Sequence, residues 1–171
     1  VVLAACRRWP TEFASHLDGV FAFVMQTGNE VLLYRDPSGL QNLYWCRTPS
    51  DSLAFATNLH ALLGLPEVPR RLARRSLHEY LRFLDIAAPH TMYESVHAVE
   101  AGRALRWSPR GLETCPPSAP QCDAGALESF EEAVSALDLH MQRSVQDSLD
   151  PAQRPAAFLS GGIDSALICA L

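Results

Sequence analysis

The sequence predicts an α+β fold: an antiparallel sandwich over residues 1–114, incomplete within this chain, followed by the first strand and helix of an α/β nucleotide-binding domain. Three observations predict it. Short apolar segments joined by tight polar turns fill the first two thirds of the chain, and such connections favour antiparallel pairing. Residues 115–125 are rich in Pro, Ser and Ala without periodicity, which marks an interdomain linker. An apolar run then enters a Ser/Gly-rich turn and a second apolar run, the pattern of strand, loop and helix start.

The elements follow in order. Val2, Leu3, Cys6 and Trp9 recur at helical spacing over Val1 to Trp9, and Pro10 stops that helix. Val20–Met25 and Val31–Tyr34 are strands around the turn Thr27-Gly28-Asn29-Glu30. Asp36-Pro37-Ser38-Gly39 carries the residues a type I turn prefers. Leu43–Trp45 and Leu53–Ala56 form a further pair around Thr48-Pro49-Ser50-Asp51. Asn58 caps a short helix, Leu59 to Leu63, which ends at Gly64. Ser76 opens another through Leu84, with Glu79 completing a capping box. A strand pair around Val96–Trp107 and Leu112–Thr114 closes the first domain. In the second domain, which starts at residue 126, Leu127, Phe130, Val134, Leu137, Met141, Val145 and Leu149 give one apolar stripe, expected to face a core.

Bulk properties exclude several classes. With 171 residues, 48% of them hydrophobic and 19% charged, the chain can bury one ordinary core, or one core and the beginning of another. A net charge of −5 argues against nucleic acid or an acidic membrane surface as partner. No apolar run approaches the ~20 residues of a membrane helix, and no signal-peptide pattern opens the chain. The scattered Cys6, Cys46, Cys115, Cys122 and Cys169 lack metal-ligand spacing, which predicts reduced thiols, a cytoplasmic protein and no zinc site. All 14 basic residues are Arg, so lysine Schiff-base or general-base chemistry is excluded within the chain. Arg70, Arg71, Arg74 and Arg75 are expected on a solvated linker or helix face. Both ends look cut, so the chain is expected to be a fragment that aggregates or binds a partner when isolated.

The turn Ser160-Gly161-Gly162-Ile163-Asp164-Ser165 carries the chemistry. Adjacent glycines and a helix N-terminus leave backbone N–H groups free for phosphate, and Ser160 and Ser165 add hydroxyl donors. Asp164 suits a phosphate only through a divalent cation, which points to a metal–nucleotide complex. A P-loop is excluded, because no Lys follows the last Gly. The alternative role for Asp164 is a helix-terminal charge. Arg35 and Asp36 are expected to fix their hairpin as an ion pair. His16, His60, His78, His90, His97 and His140 are expected to be solvated or core residues.

The turn resembles the SGGxDS signature of PP-loop ATP pyrophosphatases. Together with four further segments in the same order, it is similar to glutamine-dependent asparagine synthetase and its relatives. Those segments are Leu17–Phe23, Tyr34–Tyr44, Phe55–Leu62 and Thr91–Gly102, so the resemblance spans nearly the whole chain. It implies an Ntn-hydrolase-like class II glutamine amidotransferase domain joined to an ATP-binding synthetase domain. The implied activity is ligation: a carboxylate, with aspartate expected, is activated by ATP as an acyl-adenylate and amidated with ammonia from glutamine. The resemblance assigns ATP binding to Leu159, Ser160, Gly161, Gly162, Asp164 and Ser165, with Asp164 holding Mg2+, and it allows for a homodimer of the complete protein. It places the N-terminal Cys nucleophile upstream of Val1, so no catalytic residue is expected within the chain. Asn42, where the family usually has Pro, Thr57-Asn58, where Ser-Glu is common, and Glu100-Ala101, where Pro is usual before Gly102, depart from the family pattern. These departures lean towards a divergent branch that includes β-lactam-forming and peptide-cyclising ligases without glutaminase activity. A non-catalytic partner-binding module is the remaining alternative.

Overall fold

A computed structural model describes residues 1–10, 12–115, 129–150, 152 and 154–171. They fall into two compact units, Val1–Gln121 and Cys122–Leu171.

The first unit opens with α1 (Val2–Arg8) and a 3-10 turn, Phe13–His16. Then come β1 (Ala22–Thr27), β2 (Glu30–Arg35), β3 (Tyr44–Arg47) and β4 (Leu53–Ala56). Next are α2 (Leu59–Leu63), α3 (Arg74–Phe83), β5 (Val96–Ala98), β6 (Ala104–Ser108) and β7 (Gly111–Thr114). Two antiparallel sheets result, ordered β1-β2-β6-β7 and β4-β3-β5. Gly28, at φ 59°, supplies the positive φ that the two-residue β1–β2 turn needs at its first position.

Side-chain alternation along the strands builds the layers. Leu33 of β2 meets Leu43, Val99 and Leu105 between the sheets. Its neighbours Leu32 and Tyr34 face the other way, onto Ala5, Cys6, Phe13 and Ala14 of α1 and the 3-10 turn. On the far side of the second sheet, Cys46 and Val96 pack with Leu62 and Leu63 of α2. The order of layers is helix, sheet, sheet, helix. Leu33 is fully buried, and truncating such a residue to Ala costs about 2–5 kcal/mol.

Several expectations need correction. Val96–Ala98 pairs with β3 whereas Ala104–Ser108 pairs with β2 and β7, so residues 99–103 cross from one sheet to the other. Ser76 does not open α3: Ala73 does, after its N–H is fixed by the Met92 carbonyl at 2.9 Å, and Ser76 is buried inside the helix. Glu79 instead accepts from the Ala87 N–H at 2.9 Å. Arg71 pairs with Glu94 at 3.1 Å, and Arg70 donates to the Leu63 carbonyl. Asn58 caps α2 as expected, its oxygen accepting from the His60 and Ala61 N–H groups.

Arg35 and Asp36 form no ion pair with each other. The Arg35 guanidinium donates to the carbonyls of Gly39, of Gln41 at 2.7 Å and of Val99 at 3.0 Å, and to Asn42 Oδ1 at 3.2 Å. The Asp36 carboxylate, with no exposed surface, accepts from the N–H groups of Phe21, Ser38 and Gly39 and from the Ser38 hydroxyl. A buried charge needs such partners, and backbone donors satisfy it here. Burial alone would raise the Asp36 pKa, but the hydrogen bonds from Ser38, Phe21 and Gly39 outweigh it and hold the carboxyl below its usual range.

In the second unit, α4 (Phe130–Ser148) is capped by the Ser129 side chain, and α5 (Ile163–Ala170) follows the serine-glycine turn. The expected residues 116–128, Leu127 and most of the linker among them, lie outside the described residues. The strand expected at 156–159 is absent, because residues 154–160 have no ladder partner among the described residues. No residue of α4 is buried against the other described residues, Phe130 and Leu137 being 79% and 60% exposed.

Two outcomes are expected from these contacts. Asp36→Asn turns a donor towards the Phe21 N–H and should cost about 2–3 kcal/mol at neutral pH. Because the folded carboxyl titrates below the ordinary ~3.9, its contribution is full above that value and lost as pH falls through the folded one. Thermal melts of the complete protein at pH 7 and pH 3 should therefore show the gap between parent and variant closing in acid. Leu84 ends α3 at φ 57° with 78% of its surface exposed, a left-handed conformation costing ~1 kcal/mol for a residue with a Cβ. Leu84→Gly should melt above Leu84→Ala; the reverse order would show that no such penalty is present.

Candidate functional site

The serine-glycine turn is assembled by local chemistry. Gly161 sits at φ 83°, and Gly162 occupies the N-cap of α5 without any side-chain cap. Ala166 N–H makes the first intrahelical bond, to the Gly162 carbonyl at 3.1 Å, so the amides ahead of it have no helical acceptor. The Ser160 and Ser165 hydroxyls lie 2.9 Å apart, Ser165 also donating to the Gly162 carbonyl at 3.1 Å. The Gly162 N–H in turn reaches Ser160 Oγ at 3.4 Å. A Cβ on Gly162 would stand 3.4 Å from Ser160 Oγ, whereas one on Gly161 would meet nothing and be opposed only by its φ.

The structure thus brings Ser160, Gly161, Gly162 and Ser165 together, with Leu159 leading in. Asp164 lies in the first turn of α5, where the helix dipole favours a negative charge. No group of three or more His, Cys, Asp or Glu suited to a metal occurs among the described residues. A magnesium ion commonly takes one or two carboxylates and fills its shell with phosphate oxygens and water. The donors here fit an ion carried in with a nucleotide and do not fit a dedicated metal centre.

Among the described residues of the first unit, no hydrogen bond joins a cysteine or serine to a histidine. Burial pushes the thiols of Cys6 and Cys46 up, which keeps them protonated and unreactive. His16 stacks on Trp9 at 3.8 Å, and His97 lies tilted against Trp45 at 4.7 Å. Burial first, then the neighbouring His90, lowers the His97 pKa. A cavity of about 540 Å3 opens beside Arg35, Asn42, Tyr44, Tyr80 and His90. Sequence reasoning missed it, because its walls come from β2, β3, α3 and the loop after α3. The one available signal was the polar stretch from Arg35 to Asn42 between two apolar strands.

No helix among the described residues is long and apolar enough to cross a membrane. Among known proteins, asparagine synthetase (glutamine-hydrolyzing) 1 of Bacillus subtilis is 30% identical over 178 residues, covering 98% of this chain and 27% of its own. Asparagine synthetase (glutamine-hydrolyzing) 3 of the same organism is 26% identical over 174 residues, covering 100% and 28%. Carboxyethyl-arginine beta-lactam-synthase of Streptomyces clavuligerus is 27% identical over 176 residues, covering 99% and 31%. The chain therefore spans 27–31% of the length of these three relatives. Residues 1–116, which contain both antiparallel sheets, match the family described as the glutamine amidotransferase domain, and the chain belongs to that family.

Proposed function

We propose that this chain is part of an ATP-dependent carbon–nitrogen ligase of the asparagine synthetase type, acting in the cytoplasm. Its amidotransferase domain releases ammonia from glutamine, and a second domain activates a carboxylate, aspartate in the leading reading, as an acyl-adenylate, from which ammonia attacking the acyl carbon displaces AMP. One observation carries the reading: the two-sheet amidotransferase fold is followed in the same chain by a glycine turn that opens onto an uncapped helix N-terminus. The similarity to Bacillus subtilis asparagine synthetase 3 covers 100% of this chain, the turn included.

When the carboxylate attacks the α-phosphorus, the α–β bridging oxygen takes up charge and pyrophosphate leaves. The free amides at the start of α5 face such an anion with their positive ends, and the adjacent Ser160 and Ser165 hydroxyls can turn their protons towards it. Gly161 and Gly162 let the backbone approach closely, and Leu159 presents its backbone to the nucleotide. Asp164 would hold a magnesium ion brought in with the nucleotide, and the ion would supply charge neutralisation for the leaving group. The resemblance to the family implies an N-terminal cysteine as the nucleophile for glutamine hydrolysis, a role that does not suit Cys6, which is buried within α1.

A second reading is favoured by the similarity to a β-lactam synthase at 27% identity, close to the values for the asparagine synthetases. In that reading the glutaminase activity is lost and the substrate's own amine displaces AMP. A Cys directly after the initiator Met supports glutamine use; any other residue there favours cyclisation.

For the ligase as a whole, Asp164→Asn keeps the shape of the turn and removes the charge. ATP–pyrophosphate exchange with aspartate in the complete protein should fall ~10²-fold, about 3 kcal/mol of barrier, with the melting temperature little changed. Full exchange with a slightly lower melting temperature would reduce Asp164 to a dipole partner worth ~0.3–1 kcal/mol. Absence of exchange in the parent protein with every carboxylate tried would remove the ligase reading itself.

A further inference from the structure

The space between the two sheets is unevenly filled. Leu33, Leu43, Val99 and Leu105 close it beside β2. Towards β5 and β7, two cavities of about 150 and about 490 Å3 remain, sharing Trp45, His97 and Leu112 as walls. Trp107 of β6 lines the larger one. Alternation puts these side chains on one face: Trp107 pairs with Leu112 across β6–β7, and Trp45 with His97 across β3–β5. The cleft therefore has indole walls from both sheets.

Its charges cancel in pairs except for one. At the inner end Arg103 meets Glu100 at 3.4 Å, and at the mouth Arg47 pairs with Asp51. Arg110, in the β6–β7 turn, also lines the mouth; its guanidinium has no ion pair or hydrogen bond among the described residues. Burial keeps His97 neutral near pH 7, so Arg110 is the cation left to meet a ligand. The larger cavity, about 490 Å3, is the one that Trp45, Trp107 and Arg110 line together, and it exceeds the space that one six-membered ring needs. Indole faces favour a flat π-system at stacking distance.

We propose that this inter-sheet cleft binds a planar aromatic anion, its ring between Trp45 and Trp107 and its carboxylate on Arg110. The site is separate from the serine-glycine turn and does not depend on the ligase reading. A charge-assisted hydrogen bond to a guanidinium supplies direction, and the unpaired charge of Arg110 repels the ammonium of a cationic ring of the same shape.

Isothermal titration of the complete protein with indole-3-acetate tests this directly. One site per chain is expected, with binding weakened tenfold or more by Arg110→Gln and by Trp107→Leu, and no binding of tryptamine, which has the same ring and the opposite charge. Circular dichroism checks that each variant is folded; if Trp107→Leu is not, the exposed Arg110→Gln decides alone. Lack of binding at millimolar indole-3-acetate, equal binding of tryptamine, or an unchanged affinity in Arg110→Gln would each overturn the proposal.

Discussion

The two sheets of this domain are joined by two neighbouring side chains at the end of β2. Successive strand residues point to opposite faces, so Arg35 and Asp36 can serve different parts of the backbone. Arg35 gathers the carbonyls of Gly39, Gln41 and Val99, which belong to the loop leading into β3 and to the crossover out of β5. Asp36 gathers N–H groups from Phe21 and from its own turn. The Phe21 contact extends the β1–β2 ladder by one step, because Asp36 N–H donates to the Phe21 carbonyl while its carboxylate accepts in return. One residue supplies donors and the next supplies acceptors. Had they paired with each other, both sets of backbone groups, most of them part-buried, would lose these partners.

Much of this fold was legible because local chemistry decided it. The Asp36–Gly39 turn and the Asn58 cap each need one residue type at one position, and the structure shows both. The sheet switch was not legible. Val96–Ala98 and Ala104–Ser108 look alike as apolar strands, and it is long-range bonds that hold the crossover, from Gly102 N–H to the Arg35 and Asp36 carbonyls and from Arg35 to the Val99 carbonyl. α3 shows the same limit: Ser76 and Glu79 have the spacing of a capping box, yet the Leu72–Tyr93 bridge fixes the chain earlier and starts the helix at Arg74. Tertiary contacts outranked a local signal that costs only ~1 kcal/mol to forgo.

The candidate site divides in the same way. The closeness of Ser160 and Ser165 and the missing cap at Gly162 follow from six consecutive residues, and they were readable. Strand and helix burial around them were not. Phe158 is 99% exposed and Ile163 86%, although their apolar runs read as interior. Periodicity reports which face of an element is apolar and is silent on what covers it. The stripe on α4 makes the point again, with Val134 and Leu137 aligned and uncovered.

Departures from the family pattern acquire a physical meaning at the Arg35 hub. Asn42 stands where the family commonly has proline, and its side-chain oxygen accepts from Arg35 at 3.2 Å, a bond that proline has no atom to make. Proline would stiffen the approach to β3; asparagine ties that approach to β2. Ala101 shows the converse constraint, since a Cβ on Gly39 would lie 2.9 Å from the Ala101 Cβ. Gly39 also holds φ 63°, so any other residue there would be opposed by both its backbone and the crossover. The position tolerates variation on the crossover side only while the turn stays glycine. Residues 42 and 101 can therefore change without moving the sheets, because the backbone groups that join them are held by Arg35 and Asp36. Divergence at such positions leaves the amidotransferase fold intact and says little about substrate, a choice made at sites on the fold and not by the fold itself.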